Sequence, residues 1–337
     1  MSHVPQRTPT LLFNDRMRPP TLDEVMRVPH GRTARRLEWQ HLHPDVRAVV
    51  EARLGSPVAA ATSHLTGFTP GFASSLTAAD GSCVFVKAAS KVAQRQIAAS
   101  YAEEARKLSL LPQRRLPATR LAWSHEDDGW VVLGFECVDG RPPARPWVPA
   151  ELDTCLDTLT EVASVMTDPD PGLHLVPLHE DMPTLLSGWS TVATADPDWP
   201  HLAEAAELAA SFEELPDADH FVHADARDDN FLLTSDGRAL LCDWNWPGLG
   251  PAWLDSVTLL VSAHGDGRDA DALLRAHPLT ADAPADHVDA WLAALCGFML
   301  ESDFRPVPPS SPNLGTHRRW WAAATWDWLA RRRGWDG

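Results

Sequence analysis

His223-Ala-Asp225, then Asn230, then Asp243 is the part of this chain whose residue types and spacing could do chemistry. Asp225 lies five residues before Asn230 (230 − 225), and Asp243 lies thirteen after it (243 − 230). A carboxylate able to take a proton from a hydroxyl comes first. An amide oxygen and a second carboxylate, both able to ligate a hard cation, follow. That is the layout a phosphoryl-transfer site needs.

The elements around these residues would position them. Phe221-Val222 and Phe231-Leu-Leu233 are apolar flanks on a polar loop. Asp236-Gly237 is a hairpin turn signal, and Ala239 to Cys242 is a short apolar run that delivers Asp243. One hairpin then carries Asn230 on one arm and Asp243 on the other, facing a single ion. Magnesium keeps several waters, so two such oxygen ligands suffice. The plain alternative is an acidic surface loop, formed by Asp225, Asp228 and Asp229, ahead of an ordinary hairpin. His-x-Asp alone would suit that alternative; Asn230 and Asp243 in register favour chemistry.

Residue usage adds a second signal. Only Lys87, Lys91 and Lys107 are lysines among 29 basic residues, and Asn occurs four times, Ile and Tyr once each. Such usage is that of coding pressure under which a surface Lys readily becomes Arg. A Lys that survives is a candidate for a compact ammonium that a planar guanidinium cannot copy. Lys87 ends the third strand of a meander read from Val58 to Ala89. A helix over Gln94 to Leu111 follows, with Ala98, Ala102, Ala105, Leu108 and Leu111 on one stripe. Strands at Pro117 to Trp123 and Trp130 to Cys137 precede a Pro/Arg-rich junction running to Pro149. The remainder reads as mainly helical around the catalytic hairpin.

Together these features resemble the aminoglycoside phosphotransferase and choline kinase group of kinase-like enzymes. The resemblance is specific over residues 221–243, looser over 84–108, and elsewhere rests on element order from about residue 57 onward. It implies an α+β, bilobal protein-kinase-like fold: a small antiparallel-sheet N-lobe and a larger, mainly helical C-lobe. Residues 1–56 are then an N-terminal extension and helix, 57–138 a nucleotide-binding lobe, and 139–337 a catalytic and acceptor-binding lobe.

The resemblance also implies roles. Asp225 is the base. Asn230 and Asp243 hold Mg2+. Lys87 meets the nucleotide phosphates and is steadied by Glu104, with Glu103 as the alternative one position round the helix. Gly67-x-x-x-Gly71 is neither a protein-kinase glycine loop nor a Walker A loop, but Ser74 and Ser75 beside it could approach phosphate oxygens. The Glu136 carbonyl and Val138 amide would hold adenine. His223 and Asp255 match positions that are structural. The nucleotide is ATP, with GTP left open.

Composition bounds the partners. A net charge of −17 argues against nucleic acid. No apolar run approaches a membrane span, and the stretch from Met1 to Pro9 has no signal-peptide core, so a cytoplasmic location is expected. Cys83, Cys137, Cys155, Cys242 and Cys296 are scattered, which reads as reduced thiols. A monomer or homodimer is expected.

The acceptor is a small hydroxyl compound. An antibiotic of aminoglycoside, peptide or nucleoside type leads, so that phosphorylation gives resistance; a choline-, homoserine- or sugar-type metabolite is the alternative. Glu301, Asp303 and Asp327 could meet a cationic acceptor. Trp320, Trp321, Trp326 and Trp328 form either a stacking wall or plain core, and core is favoured. Three rivals stand beside this reading. A protein kinase would need a long activation segment, but Asp243 and Asp255 are only twelve apart (255 − 243). An inactive nucleotide-binding protein would not need Lys87, Asp225, Asn230 and Asp243 together. A metallohydrolase on His220, His223 and Asp225 would leave Lys87 and Asn230 without a purpose.

Overall fold

The computed structural model describes Leu22, residues 35–65, Gly67 and residues 69–335. Most of the expected N-terminal extension, including all but Leu22 of the helical piece read at Leu22 to Val28, lies outside the described residues, as do Thr66 and Phe68 of the expected turn.

Helix α1 (Pro44–Leu54) begins on a proline and stops at Gly55. Strands β1 (Val58–Ser63), β2 (Phe72–Ala78) and β3 (Cys83–Ser90) form the expected antiparallel meander. Helix α2 (Arg95–Leu110) follows, then β4 (Leu121–Glu126) and β5 (Trp130–Glu136). The five strands pair in the order β1-β2-β3-β5-β4. Strand alternation separates the two faces of this sheet. Val84, Val86 and Ala88 of β3 pack with Phe72, Leu76 and Val132 against Val46 and Val50 of α1. Phe85, Lys87 and Ala89 point to the opposite face, where α2 packs.

The same strand pairing corrects the cysteine expectation. Val84 pairs with Glu136, which brings Cys83 and Cys137 to a Cα separation of 5.7 Å, and the two form a disulfide. Cys155, Cys242 and Cys296 are free. A separation of 54 residues in sequence hides a neighbourhood that only strand register creates.

Strand β6 (Gly140–Arg141) leads into the helical half: α3 (Pro149–Val165), α4 (Leu178–Asp181), α5 (Thr184–Ala195) and α6 (Leu202–Ser211). Then come β7 (His220–Val222), β8 (Phe231–Thr234), β9 (Ala239–Leu241) and β10 (Gly248–Gly250). Helices α7 (Leu254–Gly265), α8 (Ala270–Ala276), α9 (Ala285–Asp303) and α10 (Leu314–Arg333) complete the chain. β8 and β9 pair from Phe231↔Leu241 to Leu233↔Ala239 around Gly237, as the turn signal predicts. Two pairings are new: β6 joins β8, and β10 joins β7. Strands of two or three residues carry no readable alternation, so sequence cannot announce them. Helix α9 is buried almost all round from Val288 to Gly297 and packs on α5, α6 and α10. Among the described residues no helix is long and apolar enough to cross a membrane.

Candidate active site

A cavity of about 370 Å³ opens between the sheet and the β8–β9 hairpin. It is lined by Phe85, Phe135, Glu136 and Val138 and by the polar groups Lys87, Glu104, Asn230 and Asp243. The volume is that of an ordinary small-molecule site.

Lys87 reaches the cavity because it alternates off the α1 side of β3. Its Nζ donates to Glu104 Oε1 at 2.7 Å, Glu104 Oε2 at 2.9 Å and Asp243 Oδ1 at 2.9 Å. Helix phase decides between the two glutamates. Ala98, Tyr101, Glu104 and Leu108 are the buried face of α2, whereas Glu103 points away and pairs with Arg106 at 2.7 Å. Burial alone would lower the Lys87 pKa, but Asp243 and Glu104 override it and hold the ammonium charged. Burial pushes the Glu104 carboxyl up to about 7 against the pull of Lys87. The pair is ionic, because an ammonium held charged donates to both carboxylate oxygens. Asp243 is likewise pushed up by burial, and Lys87 more than reverses this, leaving it below the usual carboxylate range.

The residues after β9 are held from both sides. Asn245 Nδ2 donates to Asp243 Oδ1 at 2.6 Å, Ser100 Oγ donates to Asn245 Oδ1 at 2.9 Å, and Lys107 Nζ donates to the Asn245 carbonyl at 2.7 Å. Asp243 has a φ of 67°, a left-handed conformation that costs a non-glycine residue energy and needs this support. Two of the chain's three lysines therefore secure one stretch of three residues.

The loop before β8 is held as firmly. Ala224 also has a positive φ, 63°. Asp255 at the start of α7 accepts from the His223 and Ala224 amides at 2.6 and 2.9 Å, which fixes that turn. His223 is fully buried, lies edge-on to Trp244, and is lowered to about 4 by loss of solvent. It is a neutral, structural imidazole. Asn230 Nδ2 donates to the Asp225 carbonyl at 2.8 Å and to Asp225 Oδ2 at 2.9 Å, which turns the Asn230 oxygen to other use. Arg227 lies 3.1 Å from Asp225 Oδ1 and 3.0 Å from Asp229 Oδ1. Burial raises the Asp225 carboxyl to about 7, against the opposing charge of Arg227. An ordinary aspartate pKa, which a loose transition state would tolerate, is therefore not what the fold provides. Asp228 pairs with Arg145 at 3.0 Å, so the three aspartates are not a solvated surface loop.

Other expectations meet the structure unevenly. Ser75 lines the cavity and lies 2.8 Å from His64 Nε2. Ser74 does not: it is fully buried, its Oγ 3.3 Å from Ser63 Oγ, because alternation turns it the other way from Ser75. Tyr101, Arg227 and Asn245 belong to the site and were not legible as such. Tyr101 carried a signal, being the chain's only tyrosine. Its hydroxyl lies where a Cβ on Gly71 would collide with it, so this contact requires glycine at position 71.

Magnesium fits the donor set. Asn230 and Asp243 offer hard oxygens in the cavity lining, and phosphate and water oxygens would complete such a shell. A zinc-type site does not fit: no cluster of three or more His, Cys, Asp or Glu side chains suited to a metal occurs among the described residues. His220 is exposed and pairs with Asp219 at 3.3 Å.

The helical side is different. Glu301 pairs with Arg305 at 2.6 Å, Asp303 with Arg319 at 3.2 Å, and Asp327 with His264 at 2.7 Å and Arg331 at 2.9 Å. Trp320, Trp321, Trp326 and Trp328 are 5, 1, 8 and 1 % exposed, which makes them core rather than a stacking wall.

Comparison with known proteins agrees with this geometry. The sequence profile of the phosphotransferase enzyme family matches residues 76–291. No curated protein sequence matches the chain. Solved structures share the fold at low identity. A thermostable mutant of an aminoglycoside phosphotransferase, in ternary complex with ADP and hygromycin B, is 16% identical with a TM-score of 0.55, covering 86% of this chain and 98% of its own. The choline kinase LicA from Streptococcus pneumoniae is 12% identical with a TM-score of 0.57, covering 85% and 99%. An amicoumacin kinase in complex with AMP-PNP and Ca2+ is 14% identical with a TM-score of 0.53, covering 82% and 92%.

Proposed function

Because the chain belongs to the phosphotransferase enzyme family, we propose that it transfers the γ-phosphate of ATP to a hydroxyl of a small molecule. The observation that carries this reading is the three-way contact of Lys87 with Glu104 and Asp243, in the cavity that also takes in Asn230. Residues 57–138 supply the nucleotide lobe and residues 139–337 the catalytic and acceptor lobe.

Phe85 and Phe135, which line the cavity, would offer apolar contact to adenine, and the Glu136 carbonyl and Val138 amide would hydrogen-bond its edge. Lys87 binds the phosphates. Asn230 and Asp243 hold magnesium, which neutralises phosphate charge when bound. Asp225 orients the acceptor hydroxyl and receives its proton as the oxygen bonds to phosphorus and the bond from phosphorus to the ADP oxygen breaks. Asn230 and Arg227 fix the Asp225 carboxylate for this step. Positioning and charge neutralisation account for most of the rate.

The acceptor is an antibiotic in our reading, and phosphorylation of it would confer resistance in the cytoplasm, where ATP is available. The ion pairs of Glu301, Asp303 and Asp327 with basic residues of the chain itself make a polycationic aminoglycoside less suitable than a peptide or nucleoside compound. The same pairs equally suit a small hydroxyl metabolite, the second reading. The test is an ADP-release screen of hydroxyl-bearing antibiotics and metabolites with Mg-ATP, read by mass spectrometry for one added phosphate. Phosphate on an antibiotic supports the first reading, phosphate only on a metabolite supports the second, and ATP binding without any phosphorylated acceptor would make the chain an inactive nucleotide binder.

A further inference from the structure

We propose that Arg36, from the segment before α1, is a nucleotide-binding residue supplied to the phosphate end of the cavity. The inference rests on the nucleotide reading above and adds a residue to it from outside the matched region, which begins at residue 76.

The path of the chain carries the argument. The Arg35 amide donates to the carbonyl of Ser310, in the loop between α9 and α10, at 2.8 Å. One residue later, Arg36 Nη1 donates to the carbonyl of Gly71, at the start of β2, at 3.0 Å. Trp39 then lies against Phe72 with ring centroids 6.2 Å apart, and Leu42 enters the core beneath α1. The segment thus spans from the helical lobe to the sheet and is anchored on both. Arg36 sits between the anchors and lines the same cavity as Lys87, Asn230 and Asp243.

Its neighbours in the cavity are identifiable. Gly71 lies against the Tyr101 hydroxyl, and Lys87 Nζ lies 5.7 Å from the Tyr101 ring centroid. Arg36, which holds the Gly71 carbonyl beside the Tyr101 hydroxyl, therefore shares one neighbourhood with Tyr101 and Lys87, and Lys87 Nζ in turn lies 5.6 Å from the Phe135 ring centroid. Charge makes a second cation useful there. Lys87 is shared between Glu104 and Asp243, and Asp229 adds a further carboxylate to the lining. A triphosphate brings more negative charge than one magnesium ion and a shared ammonium offset. A guanidinium offers several donors in a fixed fork that suits phosphate oxygens.

The test is calorimetric titration of Mg-ATP and of adenosine into the full-length wild-type chain, Arg36→Ala and Arg36→Lys. We expect Arg36→Ala to weaken Mg-ATP by about tenfold, the scale of one charge-assisted contact, while adenosine binding stays within about twofold. Arg36→Lys should recover part of the Mg-ATP loss. Equal weakening for both ligands would reduce Arg36 to a structural strap and overturn the proposal, as would unchanged Mg-ATP affinity in Arg36→Ala. Wild-type protein that binds neither ligand would overturn the nucleotide reading itself, and this inference with it.

Discussion

The cavity and the carboxylates Glu301, Asp303 and Asp327 of the helical side differ in how charge is held. Around the cavity, charged groups are buried and shared: Lys87 divides itself between two carboxylates, and Arg227 between Asp225 and Asp229. On α9 and α10, Glu301 and Asp303 each have a nearby arginine, and Asp327 pairs with His264 and Arg331. Buried charge is costly to desolvate, and only well-placed partners and hydrogen bonds offset that cost. Locally matched charge near the surface contributes little and asks for nothing. The difference teaches that the polar groups lining the cavity act on one another and on whatever enters it, whereas these three carboxylates are already matched within the chain.

Mutations should break along that line. The largest effect is expected for Asp243→Ala, which should abolish magnesium-dependent ATP binding, while Asn230→Ala should be milder because water can replace one magnesium ligand. Calorimetry with Mg-ATP checks both, and unchanged affinity in Asp243→Ala would remove it from the metal site. Lys87→Arg should lower kcat/KM for ATP by about a hundredfold despite retained charge, because the planar fork does not fit between Glu104 and Asp243. Near-normal kinetics would sever Lys87 from the phosphates.

The acid limb of activity is a smaller, graded effect. Asp225 must be deprotonated to accept the hydroxyl proton, and its carboxyl is raised to about 7. kcat/KM should therefore rise with pH through about 7 and fall about tenfold per pH unit below it. A limb near the ordinary carboxylate value would show that Asp225 is not the titrating base. The smallest effect belongs to the helical side. Glu301→Gln and Asp327→Asn should change the acceptor KM by about twofold or less, as expected for charges already paired within the chain. A tenfold rise in KM for a cationic acceptor would return these residues to the acceptor site.

Legibility follows the same division. Asp225, Asn230 and Asp243 could be placed from sequence because a short loop and one hairpin, marked by Asp236-Gly237, bring them together. Lys87 stands out by lysine scarcity and element order, and the helix frame favours Glu104 while leaving Glu103 open until the buried face of α2 is known. Arg36, Arg227 and the Cys83–Cys137 pairing could not be placed. Arginine is too common here to stand out, and the disulfide depends on the register of β3 with β5. The Asn245 contact of Lys107 was foreshadowed by lysine scarcity alone, which marks a residue as needed without saying for what. The tryptophans of α10 share a helical face in either reading; burial, which sequence does not print, makes them core.

The central claim is that holding ATP and activating the hydroxyl are separate tasks of separate residues. Asp225→Asn tests it most directly, with Mg-ATP affinity from calorimetry and turnover from ADP release measured on the same preparation. The account predicts affinity within a few-fold of wild type and a turnover lower by about a hundredfold or more, the scale of losing a general base. Turnover equal to wild type, or ATP affinity lost together with turnover, would contradict it.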